Sequence, residues 1–327
     1  MSKYLIFRTD RIGDYIFSRI LTESIKKKDP KNTIDFVCSS YNSKYVKNFS
    51  DIKKIYILDK YDLNLMIKNI FEINSVNYDY LIILDGKRRS VFFSILLKAK
   101  KKFAILKDFR PYLILKIFFD NYFINSESQS QYNNFSSVIN YLDMKVPNKV
   151  DYYNGYIIKK TQFNQLPLNF TLLHLDEKWF EGHYYNDFKY MNLDVKNFRL
   201  LINSIYKKFK KSIVITGGNI DIKQFNLIKD KFFTKINKDT YSSNLFSHKL
   251  LFIDNTDFRD LEYIVNKCTE VFCCEGAISH VSNAFQKKTF ALINNFNTAK
   301  FWTSHMSNLK LLQRDNITKI CKQITLN

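Results

Sequence analysis

The chain has 327 residues, 46% of them apolar and 25% charged, which suits two hydrophobic cores rather than one and excludes a disordered or fibrous chain. Lys and Arg outnumber Asp and Glu by 51 to 31, a formal charge of +20, so an anionic partner is favoured without a choice among nucleotide diphosphate, phosphorylated glycan, anionic lipid and nucleic acid. Lys, Asn, Ile, Phe and Tyr are all abundant, as AT-rich coding alone would make them, and charge by itself therefore carries little functional weight.

The first hundred residues alternate short β-rich runs with longer helical patterns. Tyr4 to Phe7, Thr33 to Cys38, Lys54 to Leu58, Tyr80 to Leu84 and Phe103 to Leu106 read as strands, and the alternation predicts β-α-β units on a parallel sheet. The run Pro111 to Ile124 is apolar and aromatic but too short to span a bilayer, and it reads as a core helix. Pro147 and Pro167 bracket a Tyr- and Asn-rich stretch of weak periodicity, which reads as the hinge between domains at 1–160 and 161–327. From Phe170 the alternation restarts, with strands at Phe170 to Leu175, Ser212 to Thr216, Leu250 to Asp254, Val271 to Cys274 and Thr289 to Ile293. Helices are predicted at Val195 to Phe209, Ile220 to Phe232, Phe258 to Lys267 and Ile278 to Phe285. The fold class is therefore α/β, with two Rossmann-like, doubly wound parallel-sheet domains.

The five cysteines, Cys38, Cys268, Cys273, Cys274 and Cys321, lack the C-x-x-C spacing of a zinc site and sit mostly in apolar runs, so they read as buried free thiols of a reducing compartment. The N-terminus turns charged at Arg8 after a four-residue apolar run, unlike a signal peptide, and a cytoplasmic protein, soluble or peripheral, is expected.

Five of the seven glycines, Gly13, Gly86, Gly217, Gly218 and Gly276, follow predicted strands. Strand-to-helix turns need glycine anyway, but as a set these positions favour ligand approach at the carboxyl ends of the strands. The segment Arg8-Thr9-Asp10-Arg11-Ile12-Gly13-Asp14 leads from the first strand into a helix expected near Tyr15. Asp14 there is either a simple cap or a carboxylate that the helix dipole keeps ionised for use as a base. Lys87, Arg88 and Arg89 with Lys98, Lys100, Lys101 and Lys102 read as one basic face: an ordinary solvated face, or one suited to an acidic glycan or an anionic membrane surface.

Four segments in order resemble glycosyltransferase family 9, the heptosyltransferases. Arg8 to Asp14 is similar to its opening R-x-D-R-x-G-D, Asp85-Gly86-Lys87-Arg88-Arg89-Ser90 to its Q-G-x-x-R-S, Thr216 to Asp221 to its T-G-G-x-x-E turn, and Glu270 to Ala284 to its donor motif V-x-x-D-T-G-x-x-H-x-A. Asn255 to Leu261 resembles the polar loop before that motif. The resemblance implies a GT-B fold, with two domains facing across a cleft, and inverting transfer of heptose or a related sugar from a nucleotide-diphosphate donor to an anionic cell-envelope glycan or glycolipid acceptor, such as lipopolysaccharide core. It implies Asp14 as the base, with Asp10 its rival. On the acceptor side it implies Asp10, Arg11, Gly13, Lys87, Arg88 and Arg89. On the donor side it implies Gly217, Gly218, Asp221, Thr256, Glu275, Gly276, Ala277, Ile278 and His280, with Lys178 the candidate cation after the second domain's first strand. No cofactor or metal is expected beyond the nucleotide sugar, since the sequence has no Asp-x-Asp triplet. Peripheral contact with the inner face of the cytoplasmic membrane is a further expectation; nucleic acid is not an expected partner.

Two departures stand out. The family's Asp-Thr-Gly is Glu275-Gly276-Ala277 here, and its turn-ending Glu is Asp221. A nucleotide-sugar epimerase of the same architecture and a basic nucleic-acid-binding protein remain the alternatives, although no nucleic-acid-binding motif is present.

Overall fold

A computed structural model describes residues 1–326 apart from 60, 107–111, 127, 148–162, 164, 181–190, 192 and 218–221, and apart from the side chains of 112–114. The chain divides into two compact units, Met1–Ile157 and Ile158–Asn327. The expected hinge falls almost wholly outside the described residues, as do Gly218, Asp221 and the predicted helix start at Ile220.

In the first unit the elements run β1 (Lys3–Arg8), α1 (Ile12–Lys28), β2 (Thr33–Cys38), α2 (Ser40–Val46), β3 (Ile52–Ile57), α3 (Leu63–Asn74), β4 (Tyr80–Ile83), α4 (Arg88–Ile95), β5 (Lys101–Leu106), α5 (Tyr112–Phe118), β6 (Asn121–Ile124) and α6 (Gln131–Tyr141). The six strands pair in parallel in the order β3-β2-β1-β4-β5-β6. The chain winds outward one way from β1, crosses back to β4 and winds outward the other way, which is double winding.

The second unit repeats the plan. It runs β7 (Phe170–Leu175), a single 3₁₀ turn (Glu177–Trp179), α7 (Val195–Phe209), β8 (Ser212–Gly217), α8 (Lys223–Phe232), β9 (Thr234–Lys235), β10 (Thr240–Ser243), β11 (Leu250–Ile253), α9 (Phe258–Lys267), β12 (Glu270–Cys274), α10 (Ala277–Ala284), β13 (Lys288–Ile293), α11 (Phe296–Thr303), β14 (Leu309–Gln313) and α12 (Ile317–Leu326). The order β14-β13-β12-β7-β8-β11 repeats the first sheet's winding, and an antiparallel hairpin, β10-β9, extends it beyond β11. The near-continuous apolar strands, such as Leu250–Ile253, are covered on both faces, as parallel sheets require. No described helix is long and apolar enough to cross a membrane, and all five cysteines are buried and unbridged.

Three expectations change. The run Pro111 to Ile124 is not one helix: α5 stops at Phe118 and Asn121–Ile124 pairs with β5 as an edge strand. The first helix starts at Ile12, not near Tyr15, which moves Asp14 inside its first turn. The basic face also splits. Lys87, Arg88 and Arg89 stand at the carboxyl end of β4, whereas α4 carries the chain back, so Lys98, Lys100, Lys101 and Lys102 lie at the amino end of β5. There Lys100 pairs with Asp79 at 2.8 Å and Lys102 donates to the Ser94 carbonyl at 3.1 Å.

Gly217 has a packing reason of its own. A Cβ there would meet the Phe225 ring at 2.5 Å, and that ring is wedged edge-on against Phe180 and Phe252. Gly217→Ala should therefore cost on the order of 1–3 kcal/mol by overpacking, seen as a lowered midpoint in chemical denaturation; unchanged stability would mean that α8 gives way.

Candidate functional site

In a doubly wound sheet the carboxyl-edge loops part where the strand order reverses, leaving a crevice there. The first unit reverses between β1 and β4, and the loops after these two strands carry Arg8 to Asp14 and Asp85 to Arg89. The buried carboxylate of Asp85 binds them together. It accepts from the Thr9 hydroxyl at 2.6 Å, the Thr9 amide at 3.2 Å, the Ser90 hydroxyl at 2.7 Å and the Lys87 amide at 3.1 Å. Gly86 beside it turns through φ 59°, the left-handed region where a side chain is strained. Asp85 is thus a structural tie, and Gly86 is there for the turn.

Arg8 is 1% exposed. It donates to the Leu84 carbonyl at 2.7 Å and the Asp14 carbonyl at 3.1 Å, and its guanidinium stands 3.4 Å from both Asp10 and Asp14. Asp10 is gripped on its other oxygen by Lys87, which also donates to the Thr9 carbonyl at 3.1 Å. Asp14 is held more loosely. Its second oxygen accepts the Arg11 amide at 3.3 Å, a capping contact, and its side chain is 26% exposed against 17% for Asp10. Gly13 is buried in the first turn of α1, while Arg11 and Arg88 are exposed and Arg89 is half-buried. Arg8, which organises both carboxylates, opens the segment Arg8 to Asp14 in the sequence but was not among the expected site residues.

The second unit reverses between β7 and β12, and Lys178 and Gly276 stand after these strands. Trp179 is fully buried and donates to the His174 carbonyl at 3.0 Å, which pins the turn carrying Lys178. The Lys178 ammonium donates to the Glu275 carbonyl at 2.6 Å and lies 4.0 Å from Asp176. A Cβ at Gly276 would sit 3.1 Å from the Lys178 nitrogen, so glycine lets the cation reach the start of α10. Burial opposes the Lys178 charge, but Asp176, Glu275 and Glu177 outweigh it and hold the group above the ordinary lysine range. No side chain caps α10 at Gly276, leaving its first amides and dipole as a ready anion-binding element.

The other predicted donor residues share this carboxyl edge. Gly217 ends β8, and Thr256, after β11, donates to its carbonyl at 3.4 Å. Ala277 is half-buried, and Ile278 is 4% exposed, so its side chain packs inward and only its backbone can serve a ligand. His280 is 5% exposed in α10, its ring 6.4 Å from that of His305. One residue went unanticipated. Arg314, directly after β14, is buried, approaches Cys274 and acts electrostatically on Asp176. Burial pushes the Asp176 carboxyl up, against the pull of Lys178 and Arg314. Arginine after an apolar strand is the only signal it left. Among the described residues no three His, Cys, Asp or Glu side chains converge as a metal site.

No family model matches the sequence, and no curated protein matches it. Solved structures do. The E. coli heptosyltransferase WaaC with ADP aligns over 98% of this chain and 98% of its own at TM-score 0.70 and 12% identity. A glycosyl transferase of family 9 from Veillonella parvula aligns over 100% and 93% at TM-score 0.70 and 14% identity. The UDP-GlcNAc 2-epimerase of Methanocaldococcus jannaschii aligns over 100% and 93%, at TM-score 0.60 and 16% identity. The chain thus has the GT-B fold that its sequence motifs imply, along its whole length.

Burial holds the imidazoles of both His174 and His305 at about 4, below their ordinary value near 6.5. The unfolded chain then takes up protons first as pH falls, so this contribution to stability is whole above about pH 6.5 and is lost toward about pH 4, on the order of 3 kcal/mol per histidine. His174 also meets the Thr216 hydroxyl at 3.0 Å. His174→Gln should flatten the acid side of the Tm profile relative to wild type; parallel profiles would show that His174 titrates normally.

Proposed function

We propose that the chain is a cytoplasmic, inverting glycosyltransferase that moves heptose or a related sugar from a nucleotide diphosphate to an anionic cell-envelope glycan such as lipopolysaccharide core. One observation carries this reading: Lys178 reaches the uncapped start of α10 where the second sheet reverses. Leaving diphosphate gains negative charge as its bond to the anomeric carbon breaks, and a preformed cation beside helix amides stabilises that charge without a divalent metal. Arg314 is a second cation that acts on Asp176 beside Lys178. The E. coli neighbour, a heptosyltransferase solved with ADP, and the Veillonella parvula neighbour, a family 9 glycosyl transferase, support this reading.

In the same reading the acceptor hydroxyl oxygen attacks the anomeric carbon from the face opposite the diphosphate. Its proton passes to Asp14, and the electrons of the broken bond leave on the diphosphate. Asp14 suits the base better than Asp10, because its contacts are longer and its oxygens more exposed, whereas Asp10 is locked between Arg8 and Lys87. The missing threonine and longer carboxylate at Glu275-Gly276-Ala277 change the sugar contacts, so the donor sugar need not be heptose itself.

Calorimetry with a panel of nucleotide sugars in chelator tests the donor site. Lys178→Ala should lose roughly 1.5–3 kcal/mol of binding; unchanged affinity, or binding only with Mg²⁺, would remove the metal-free site from this position. Release of an epimerised sugar without any transfer would favour the epimerase alternative.

Asp14→Asn keeps size and capping ability but removes the base. Donor affinity and fold should persist while turnover falls by about two to four orders of magnitude. Near-normal turnover in that variant, with Asp10→Asn inactive, would move the base to Asp10.

A further inference from the structure

The second unit has a polar hollow at the edge of its sheet opposite the donor residues. There, at the amino edge, Leu250 opens β11 beside Ile213 of β8, and a groove of about 600 Å³ lies within the second unit, inside the range of roughly 300–1,000 Å³ usual for small-molecule sites. The turn from β10 into β11 supplies Ser242, Asn244, Ser247 and His248, and Gln165 comes from the segment before β7. Ile236, Phe246 and Leu251 add apolar surface. Three polar atoms of this lining stand out. Gln165 Oε1 and both ring nitrogens of His248 are buried without a hydrogen-bond partner, a state that buried polar atoms seldom keep. Packing holds the imidazole in that state. Its ring stacks on Tyr206 at 3.8 Å and 5° and meets the Phe246 ring at 5.6 Å.

We propose that this groove binds an uncharged saccharide. The hydrogen-bonding inventory argues for that ligand. Gln165 Oε1 only accepts, whereas burial pushes the His248 imidazole below its ordinary range, so its neutral ring offers one donor and one acceptor. The hydroxyls of Ser242 and Ser247 do both. A ligand that carries donors and acceptors together satisfies such a set, and each hydroxyl of a sugar is both at once. Phe246 and Leu251 suit the C–H face of a sugar ring. An anion would leave the Gln165 acceptor unpaired and would find a single cation, since Lys249 is the only charged side chain lining the groove among the described residues. A lipid chain would leave every polar atom there unpaired, which is costly. The proposal goes beyond the transfer reaction and does not depend on it, because the residues expected to hold the donor stand at the carboxyl edge of the same sheet.

The test uses the full chain, calorimetry and a set of neutral sugars: glucose, galactose, mannose, N-acetylglucosamine, maltose and lactose. At least one should bind, with the same affinity in the presence and absence of excess ADP. His248→Phe keeps the ring stack but removes both nitrogens, and Ser242→Ala with Ser247→Ala removes two hydroxyls and leaves the stack alone. Each variant should weaken sugar binding at least about tenfold, as the loss of two hydrogen bonds implies, and the thermal midpoint of the double alanine variant should stay as in wild type. Failure of every sugar to bind, or unchanged affinity in the double alanine variant, would overturn the proposal. So would displacement of the sugar by ADP, which would put it at the carboxyl edge. Binding of inorganic phosphate in place of any sugar, lost in His248→Phe, would also overturn it and make the groove an anion site.

Discussion

The parallel pairing of β1 with β4, and of β7 with β12, governs everything that follows in each unit. At these two seams neighbouring strands belong to crossovers that run in opposite directions, so no helix connects them and their carboxyl-end loops are left facing one another. Backbone amides and short polar side chains gather there without having to fill a core. The candidate residues of the first unit collect at one seam and those of the second along the edge that contains the other. The two seams are furnished differently. The first is filled with carboxylates held by Arg8 and Lys87, the second with a lysine, an uncapped helix start and a buried arginine.

Burying Arg8 between two carboxylates has a large desolvation cost, met only because every charged group there has a hydrogen-bonding or ionic counterpart close by. The Asp85 tie is part of the same solution. By collecting two hydroxyls and two amides from both loops, it fixes the distance between them, so Asp10 and Asp14 are presented by a framework that does not rely on their own contacts. The second seam uses hydrophobic anchoring instead. Trp179 is buried whole next to Lys178, so the cation's position is inherited from packing.

The ten strands read from sequence all exist to within two residues at either end, because β-branched and aromatic runs between turn residues are an unambiguous signal when both faces are buried. Elements at the margins were not legible. β6, within Asn121–Ile124, hid at the end of an apolar run whose first half is helical, and nothing in the periodicity of so short a run separates the two states. α6 is rich in Asn, Ser and Gln, and β14 is a half-buried edge strand, so neither carries a strong pattern. Because β14 went unread, so did Arg314, whose meaning depends on following that strand. Of the site, the loops and their order were legible from spacing. Which carboxylate ties the loops together was not, because Asp85 and Asp14 look alike in one dimension and differ in burial and in partners.

The hairpin β9-β10 closes the β11 side of the second sheet. β9 has only two residues, both exposed, one of them a lysine. An outer strand so brief offers a passing chain too few free amides to extend the sheet. Without it, Leu250–Ile253 would form an open apolar border, an attractive template for aggregation in a protein this rich in strand-forming residues. The hairpin thus guards one margin of the second sheet, while the seam between β12 and β7 lies in its interior.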